Sequence, residues 1–527
     1  MKKRCYITTP IYYPSGNAHL GHTYCTIMAD IIARYKRNRG VETYFLTGTD
    51  EHGQKIQNNA EKLGLTPQQY VDGIAAKFQD LWKELKISND DFIRTTQERH
   101  IKVVSEVFSR FLKQGDIYLG NYEGWYCVPC ESFWTNVQVG EDHLCPDCGR
   151  PVNKAREESY FFKCNKYLDI VLEDFEKPKF VFPESRKNEM LNNFIKPGLD
   201  DLCVSRTSFS WGIQIKENPK HVVYVWLDAL INYISALGYL SDDDSLFKKF
   251  WDNDDVEIIH LVGADISRFH TIYWPMFLKA LNLRQPDRIF VHGLLMTKDG
   301  KMSKSKGNVI APQPLIDRYG LDCLRYYLIR EINFGSDGVF TPEQFIERIN
   351  VDLVNNYGNL VNRSLNMIKK YFDGVIPQYV EGIKEIDKAI QDEVLKTISK
   401  YEELMDDLKL SEATNEVMLL VDKANKYIQA KEPWTLAKSE ENIDELKMVM
   451  SNIARIIFVS TMLLKPIIIE NYNKVFNYLG IEKEVKYKDI LDVHYLDNLK
   501  LKDCDILYKR LNVNEELQYI KDNIKQV

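Results

Sequence analysis

Long apolar segments are scarce in this sequence of 527 residues. The most apolar stretch, 448–469, is interrupted by Asn452, Arg455 and Lys465, whereas a membrane-spanning helix needs about 20 predominantly apolar residues. We therefore expect a core helix there, and no membrane as a partner. The N-terminus also lacks a basic segment followed by an apolar run and a small-residue cleavage site, which argues against secretion.

Glycine and proline are few, with 26 and 18 residues, and neither internal repeats nor low-complexity segments are present. This excludes a fibrous or disordered chain. With 44% hydrophobic and 28% charged residues, the composition is that of a soluble globular protein. At about 100 to 200 residues per domain, the length predicts three or four domains.

An excess of positive charge is absent as well. The chain has 69 Lys and Arg against 76 Asp and Glu, a formal net charge of −7. This excludes a uniformly basic protein that coats nucleic acid, and we expect no DNA partner. A local basic patch remains possible, so the charge leaves RNA binding open.

The ten cysteines do not form a disulfide framework. Four of them make two close pairs, and the others are scattered through the chain, which is typical of a reducing compartment. We therefore expect a cytoplasmic protein. The scattered cysteines are Cys5, Cys25, Cys164, Cys203, Cys323 and Cys504.

Strand-like runs alternate with helical patterns at the start of the chain. The patterns predict a helix that Gly40 ends and another that begins at a capping box of Thr66 and Gln69. Beyond residue 341 nearly everything has helical spacing. The sequence thus predicts a parallel α/β sheet with its ligand crevice at the carboxyl ends of the strands, followed by a helical domain. The predicted strands are 5–9, 43–47, 92–95, 221–225, 258–262 and 288–291.

The first motif that could carry chemistry is His19-Leu20-Gly21-His22, where a strand's exit loop becomes a helix. Two imidazoles three residues apart share a face, the glycine allows close approach of a ligand, and the helix N-terminus offers N–H groups to an anion. This suits a nucleotide phosphate. Taken alone, the motif more often marks two solvated or core histidines, because patterns of four residues recur by accident.

The second motif is the lysine-rich loop 298–307, which combines four lysines, two serines and two glycines. Ammonium groups can follow phosphates as charge moves during transfer, and glycines allow the loop to close over them. The alternative interpretation is a solvated charged turn.

The third motif is the pair of CxxC turns formed by Cys127, Cys130, Cys145 and Cys148. Each turn presents two thiolates to one ion, and four sulfurs complete a tetrahedral shell with no position for a catalytic water. We interpret the motif as a structural Zn²⁺ site. The competing interpretation is a pair of redox dithiols, which placement in one short, proline-rich module makes less attractive.

The first two motifs together resemble the "HIGH" and "KMSKS" motifs of class I aminoacyl-tRNA synthetases. Residues 301–305 match the second letter for letter, and Leu20 replaces isoleucine in the first. The resemblance implies ATP-dependent activation of an amino acid and its transfer to the terminal ribose of tRNA. His19 and His22 would stabilise charge on the α-phosphate, while Lys301 and Lys304 would hold the departing pyrophosphate with Mg²⁺.

Three further strings resemble the methionyl-tRNA synthetases within that class: Pro10-Ile11-Tyr12-Tyr13, residues 225–233 and residues 265–270. The resemblance covers essentially the whole chain and implies L-methionine as the substrate, with Asp50 pairing its ammonium group. Aromatic side chains contact a polarizable sulfur favourably. The implied cavity residues are Ile11, Tyr13, Trp226, Ala229, Leu230, Tyr233, Ile266 and His270, and the implied ATP-binding residues are His19, Gly21, His22, Gly263, Asp265 and Lys304.

The pocket departs from the family pattern at two positions. Leu230 stands where some members have proline, and Leu202 stands where some relatives have a pocket tryptophan. The exact shape of the pocket therefore stays open. Arg206 matches a position near the aspartate that binds the amino group, with a surface ion pair as the alternative.

In the helical part, Asn359 and Arg363 lie four apart on one face, and Trp434 follows Glu432-Pro433. Unpaired bases can stack on an indole and hydrogen-bond at their edges. The resemblance implies that these three residues read the CAU anticodon of initiator and elongator tRNA(Met). Taken singly, each is more simply explained as a surface residue or part of a packed turn, and the resemblance reverses that weighting.

We therefore expect a Rossmann-like parallel catalytic domain in two halves, 1–115 and 221–290. Between them lies an insertion, 116–220, with the zinc knuckle at 127–148. A KMSKS-bearing linker, 291–340, and an α-helical anticodon-binding bundle, 341–527, follow. The expected activity is that of a methionine–tRNA ligase, and the chain as it stands is expected to be a monomer.

Two rival functions share parts of this pattern. Another class I synthetase, such as those for leucine, isoleucine and valine, would need a large editing insertion between the two motifs. The stretch between them does not easily hold such an insertion alongside the sheet. An RNA-binding scaffold that keeps the fold without catalysis would not need intact histidines and lysines.

Overall fold

The computed structural model describes residues 2–128, 132–134, 139–146, 148–298, 300–302, 308–332, 335–382 and 384–524. The chain folds into two compact units. The first comprises residues 1–18 and 41–293, and the second comprises residues 19–40 and 294–527.

The first unit is built on a six-stranded sheet in which all neighbouring strands are parallel. Its central strand has Cys5, Tyr6 and Ile7 fully buried, as expected when both faces of a parallel sheet are covered. The parallel sheet predicted from the sequence is confirmed. In spatial order the strands are Asp91–Arg94, Glu42–Thr49, Arg4–Tyr12, Val256–Gly263, Arg288–His292 and Val181–Phe182.

Pro10 lies inside the central strand, where it cannot donate to the ladder. The pairing with Glu42–Thr49 shifts register between Thr8 and Ile11. Such a bulge bends a strand and re-aims its side chains. The register shift therefore lies near the carboxyl end of this strand, directly before Ile11.

Two details differ from the predicted elements. The stretch 221–225 is not a sheet strand, because only Val222–Val223 pairs, antiparallel with Ser205–Arg206, and a helix begins at Val225. Val181–Phe182 is an edge strand that the sequence pattern did not predict, since two residues are too few to show alternation.

The insertion is an antiparallel hairpin of Ile117–Cys127 and Asn153–Phe162, paired from end to end. Ser132–Trp134 extends it on one side and Leu202–Cys203 on the other. Cys127 ends the first strand of this hairpin, and Cys145 and Cys148 lie in the connection to the second strand. The α-helices of this unit are Gln54–Lys62, Pro67–Glu84, Glu98–Lys113, Leu168–Glu176, Glu184–Met190, Val225–Ser235, Ser245–Phe250 and Trp274–Ala280.

The second unit is mostly helical, as the sequence predicts beyond residue 341. A small sheet of Gly300–Lys301, Leu295–Thr297 and Gly338–Val339 precedes the helices of its C-terminal part. The helix Leu20–Asn38 also packs within this unit. The other α-helices are Gln313–Tyr319, Leu321–Glu331, Pro342–Arg348, Asn359–Phe372, Glu385–Asp406, Leu410–Lys431, Pro433–Leu436, Ile443–Leu464, Asn471–Tyr478 and Val513–Asn523.

One helical segment, Glu440–Leu464, is long and apolar enough to cross a membrane by length and composition. However, 94% of its most apolar window is buried inside the protein. Packing on all sides is the property of a core helix, which is the role predicted from the sequence.

Candidate functional site

His19 and His22 stand together at the start of the helix Leu20–Asn38, where His19 is the N-cap. The Gly21 N–H donates to His19 Nδ1 at 3.1 Å, and the His19 N–H donates to His22 Nδ1 at 3.2 Å. The rings stack with centroids 3.8 Å apart. Because each Nδ1 accepts a hydrogen bond, each neutral ring carries its proton on Nε2, which is therefore its donor atom.

This geometry changes one expectation about the helix N-terminus. The Leu20 N–H donates to the Ile310 carbonyl at 3.0 Å, and the Gly21 N–H donates to His19, so these two amides are not available to an anion. The first turn, all of which the structure describes, has no acidic side chain. The attraction for an anion thus rests on the imidazole donors and the helix dipole.

The KMSKS segment is described only in part. Lys301 lies in the short strand Gly300–Lys301, which pairs with Met296 and Thr297, and Met302 is buried. The side chain of Lys301 and the whole of Lys304 lie outside the described residues.

Most of the residues assigned to methionine gather in the first unit. Leu230 and Tyr233 belong to its main apolar cluster, and Ile11, Trp226 and Ile266 pack against that cluster. Ala229 is buried on the same helix. Tyr13 is the exception, because its ring packs against a separate cluster of Ile56, Ala60, Tyr70 and Val71.

His270 and Tyr233 form a buried, uncharged pair in this region. His270 Nδ1–H donates to the Ile266 carbonyl at 3.0 Å, so Nε2 accepts from the Tyr233 hydroxyl at 2.8 Å. Burial lowers the pKa of His270 to about 4. The pair is therefore neutral at physiological pH and presents no charge to a ligand.

A second buried histidine supports the first pair. The Tyr233 ring lies over the His260 ring at 4.3 Å. Trp274 Nε1–H donates to His260 Nε2 at 3.2 Å, which leaves Nδ1–H to donate to Thr8 Oγ1 at 2.7 Å. Burial lowers the pKa of His260 well below its usual value, so this ring is neutral too.

Trp226 packs against the main apolar cluster and also lines a cavity of about 160 Å³. Its ring is nearly parallel to the Phe269 ring, with centroids 3.4 Å apart. The Arg268 guanidinium lies 4.6 Å from the Phe269 ring centre and 4.4 Å from that of Trp134. Leu202, at the position of a tryptophan in some relatives, lines the cavity rather than filling it.

Asp50 follows the strand Glu42–Thr49, at the carboxyl edge of the sheet. Its side chain is buried, and its N–H donates to the Tyr12 carbonyl at 3.0 Å. The neighbouring Glu51 carboxylate receives hydrogen bonds from Arg94 at 2.7 and 3.0 Å. The backbone around Asp50 is thus fixed from both sides.

A buried carboxylate that the sequence pattern did not single out, Asp228, contacts the residue two positions after Asp50. The Asp228 carboxylate contacts His52 Nδ1 and His100 Nε2, each at 2.7 Å. Burial raises the pKa of Asp228, but the two histidines outweigh this effect and hold it below the usual value. An aspartate inside the apolar run 225–231 was the available signal, because a buried carboxylate needs donors.

Arg206 is buried in the insertion and not on its surface. Its guanidinium forms an ion pair with Glu157 and lies 4.1 Å from the centre of the Tyr126 ring. The alternative of a surface ion pair is therefore wrong, because this pair is removed from solvent.

Gly263 ends a sheet strand, and Asp265 lies in the 3-10 turn Ala264–Ile266 that follows it. A Cβ on Gly263 would lie 2.7 Å from an Asp265 carboxylate oxygen. The glycine thus lets the acidic side chain fold back against the backbone, at the edge of the sheet where parallel α/β proteins bind ligands.

Three of the four expected zinc ligands converge. The sulfurs of Cys127, Cys145 and Cys148 all lie within 4.8 Å of one another, and Cys127 Sγ is 3.6 Å from Cys148 Sγ. Cys130 lies outside the described residues. Three converging thiols in a small apolar cluster fit a soft metal ion such as Zn²⁺.

In the second unit, Arg363 and Trp434 meet although 71 positions separate them in the sequence. The guanidinium carbon of Arg363 lies 5.0 Å from the centre of the Trp434 ring. Asn359 is exposed at the start of the same helix as Arg363. The three side chains offer stacking and hydrogen-bonding groups on one part of this unit.

Comparison with known proteins gives a consistent result. The profile of the family "tRNA synthetases class I (M)" matches residues 5–156 and 148–365. The profile "Anticodon binding domain of methionyl tRNA ligase" matches residues 376–516.

Curated relatives resemble almost the whole chain. "Methionine–tRNA ligase" of Halalkalibacterium halodurans is 52% identical over 99% of this chain and 80% of the relative. The protein of the same name from Bacillus subtilis has the same identity and coverage.

A solved structure agrees with these relatives. "Mycobacterium tuberculosis methionyl-tRNA synthetase in complex with methionyl-adenylate" is 37% identical, with a TM-score of 0.91, over 96% of this chain and 100% of that chain. Profile, sequence and fold thus point the same way, and the chain belongs to the methionyl-tRNA synthetases of class I.

Proposed function

We propose a division of roles for the reaction of this family, in which ATP is used to join methionine to tRNA. As a member of the family the chain is a methionine–tRNA ligase. In our proposal the thioether of L-methionine lies against Ile11, Trp226, Ala229, Leu230, Tyr233, Ile266 and His270, with Tyr13 at the rim. Asp50 pairs with the ammonium group.

The neutral Tyr233–His270 pair is the observation that carries this assignment. Both ring nitrogens of His270 are engaged, and burial lowers its pKa to about 4. An uncharged, mostly apolar wall favours a thioether over a charged or strongly polar side chain, because such a group would lose its hydration without gaining a partner.

For the activation step we propose that the carboxylate of methionine attacks the α-phosphate of ATP and that pyrophosphate leaves. His19 and His22 would donate from Nε2 to the phosphate as negative charge develops, and Gly21 would keep the rings in place. Lys301, Lys304 and Mg²⁺ would hold the pyrophosphate, while Gly263 and Asp265 would bind the ribose. Electrostatic stabilisation is sufficient for this step, so no covalent enzyme intermediate is needed.

For the transfer step we propose that Asn359, Arg363 and Trp434 bind the anticodon of initiator and elongator tRNA(Met). A base can stack on the Trp434 indole while the Arg363 guanidinium on the same ring hydrogen-bonds to a base edge or phosphate. The methionyl group would then pass from the adenylate to the terminal ribose.

We also propose that Cys127, Cys130, Cys145 and Cys148 bind one structural Zn²⁺. When bound, the ion cross-links the tip of the hairpin, and four thiolates leave it no open position for catalysis. The reduced thiols that such a site requires are consistent with a cytoplasmic location. We propose that the chain acts as a monomer.

Substitution of Asp50 tests the methionine assignment. Asp50→Asn removes the charge that pairs with the substrate's ammonium group, so the KM for methionine in ATP–pyrophosphate exchange should rise by about 100-fold. The KM for ATP should stay within about twofold. Asp80→Asn, which changes an exposed aspartate on the helix Pro67–Glu84, is the matched control. An unchanged KM for methionine in the Asp50 variant would refute the assignment.

A further inference from the structure

The buried Asp228 carboxylate connects three separate parts of the first unit. It lies on the helix Val225–Ser235, between the pocket residues Trp226 and Ala229, and is fully buried. One oxygen is 2.7 Å from His52 Nδ1 and the other is 2.7 Å from His100 Nε2. A carboxylate in this state only accepts, so both histidines donate to it.

The hydrogen bond from His52 to Asp228, the His52 branch, reaches the segment that carries Asp50. Residues 50–52 have no regular secondary structure, so their position depends on side-chain contacts and the flanking hydrogen bonds. Glu51 fixes the middle of the segment through Arg94, and its N–H donates to Thr95 Oγ1 at 2.9 Å. His52 links this segment directly to the pocket helix through Asp228.

The His100 branch reaches a different element. His100 is fully buried on the helix Glu98–Lys113, and its Nδ1 is 2.7 Å from Ser235 Oγ at the far end of the pocket helix. This branch joins one helix to another and does not include the Asp50 segment. The two histidines therefore bond to the same carboxylate but differ in what they hold.

We propose that His52 is a positioning residue for methionine recognition. By bonding to Asp228, it fixes the Asp50 carboxylate relative to the pocket residues of the helix Val225–Ser235. The inference rests on the proposed function, because it takes Asp50 as the partner of the ammonium group. A charged contact that is displaced by about 1 Å loses much of its effect on a bound substrate. Loss of the His52–Asp228 bond should therefore weaken methionine binding without a direct contact to the ligand.

Variants of the two histidines separate positioning from general support of the fold. His52→Leu removes the donor, and His52→Gln moves the amide beyond the Nδ1 position, so both should raise the KM for methionine by about 10- to 100-fold. His52→Asn places an amide nitrogen where Nδ1 stood and should bring the KM back to within about threefold of the wild type. His100→Leu is the matched control, which should lower the melting temperature while leaving the KM for methionine within about twofold.

The measurements are ATP–pyrophosphate exchange for the KM of methionine and of ATP, and calorimetry with methioninol, which keeps the ammonium group but lacks the carboxylate. We expect the His52→Leu and His52→Gln variants to bind methioninol about 10-fold or more weakly, with the KM for ATP unchanged. His52→Gln keeps a polar side chain in case His52→Leu fails to fold.

Three results would overturn the inference: an unchanged KM for methionine in His52→Gln, no rescue by His52→Asn, or an equal rise in His100→Leu. Asp50→Asn distinguishes this failure from that of the proposed function. If Asp50→Asn weakens methionine binding and the His52 variants do not, only the positioning role is wrong.

Discussion

Gly21 shows how a single missing side chain can determine the geometry of catalytic groups. A Cβ at this position would lie 2.9 Å from Cε1 and 3.1 Å from Nδ1 of His19. The ring of His19 would have to leave the position where it accepts from the Gly21 N–H and stacks on His22. The glycine is therefore needed for close packing of the two histidines as well as for ligand approach.

Gly21→Ala should lower kcat in ATP–pyrophosphate exchange by about 10-fold or more, because His19 can no longer hold its donor towards the phosphate. Gly73→Ala is the control, since Gly73 is exposed in the helix Pro67–Glu84 and a Cβ there meets nothing within 4 Å. That variant should keep wild-type kcat and gain about 0.5 to 1 kcal/mol of stability. Equal kcat in both variants would contradict the proposed role of His19.

The low pKa of His270 predicts how the first unit responds to acid. The unfolded chain binds a proton at this histidine below about pH 6.5, whereas the folded protein does so only near its pKa of about 4. The contribution of neutral His270 to the free energy of unfolding is thus fully present above pH 6.5 and decreases as the pH falls towards 4. For this one group the loss is at most about 3 kcal/mol.

Urea unfolding followed by tryptophan fluorescence measures this effect, because seven of the eight tryptophans lie in the first unit. Between pH 6.5 and 4 the unfolding midpoint of the wild type should fall more steeply than that of His270→Gln. His494→Gln, at an exposed histidine paired with Asp497, should follow the wild type. Parallel curves for the wild type and His270→Gln would contradict the prediction.

At the residue level the sequence indicated which side chains are candidates for function, but not which side chains contact one another. Residue types and the family resemblance indicated the histidines, the cysteines, Arg363 and Trp434 as candidates, whereas the contact between Arg363 and Trp434 became visible only in the structure. The partners of His52, His100 and Asp228 could not be found, because they lie 128 to 176 positions apart in the chain. Which buried donor meets which acceptor is set by tertiary packing and not by local pattern.

Among the elements, the helix Leu20–Asn38 is fixed along its length inside the second unit. Arg325 lies fully buried beside it and donates to Asp30 Oδ2 at 2.7 Å. The same guanidinium donates to the carbonyls of Pro466 and Ile467 at 2.9 and 3.0 Å. The helix that carries His19 and His22 is thus linked to the segment after the core helix Ile443–Leu464.

Arg325→Leu should lower the free energy of unfolding by about 3 to 5 kcal/mol, because it leaves Asp30 and two carbonyls buried without this donor. The double variant Asp30→Leu with Arg325→Leu should be more stable than the sum of the single effects predicts. Lys426→Gln, in an exposed pair with Asp422, should cost no more than about 0.5 kcal/mol. Thermal unfolding compares the wild type with the two single variants, the double variant and Lys426→Gln, and purely additive effects would contradict a coupled pair.

The boundaries of elements were predictable where the signal is local. The capping box of Thr66 and Gln69 forms as the sequence indicates, and Gly40 has the positive φ of a helix stop. The stretch 221–225 was wrongly predicted as a sheet strand because a short run of β-branched and aromatic residues does not reveal how far it pairs. Two residues pair, and the apolar pattern continues into a helix.

For the whole molecule the order of strands and helices was predictable, but the packing partners of distant segments were not. The pattern predicts a helix after the first strand, and nothing in that pattern indicates that this helix packs with residues 294–527. Such packing depends on apolar surfaces that only the folded chain brings together. The Rossmann-like class follows from the alternation of strands and helices at the start of the chain, and the helical C-terminal domain follows from the helical spacing beyond residue 341.

The central claim is that the first unit selects methionine for activation. ATP–pyrophosphate exchange measured with each of the twenty amino acids, in the absence of tRNA, tests it most directly. We predict exchange with methionine alone. The uncharged pocket suits its thioether side chain, and the Asp50 carboxylate suits its ammonium group. Exchange with a different amino acid, or with none, from folded and zinc-loaded protein would contradict the account.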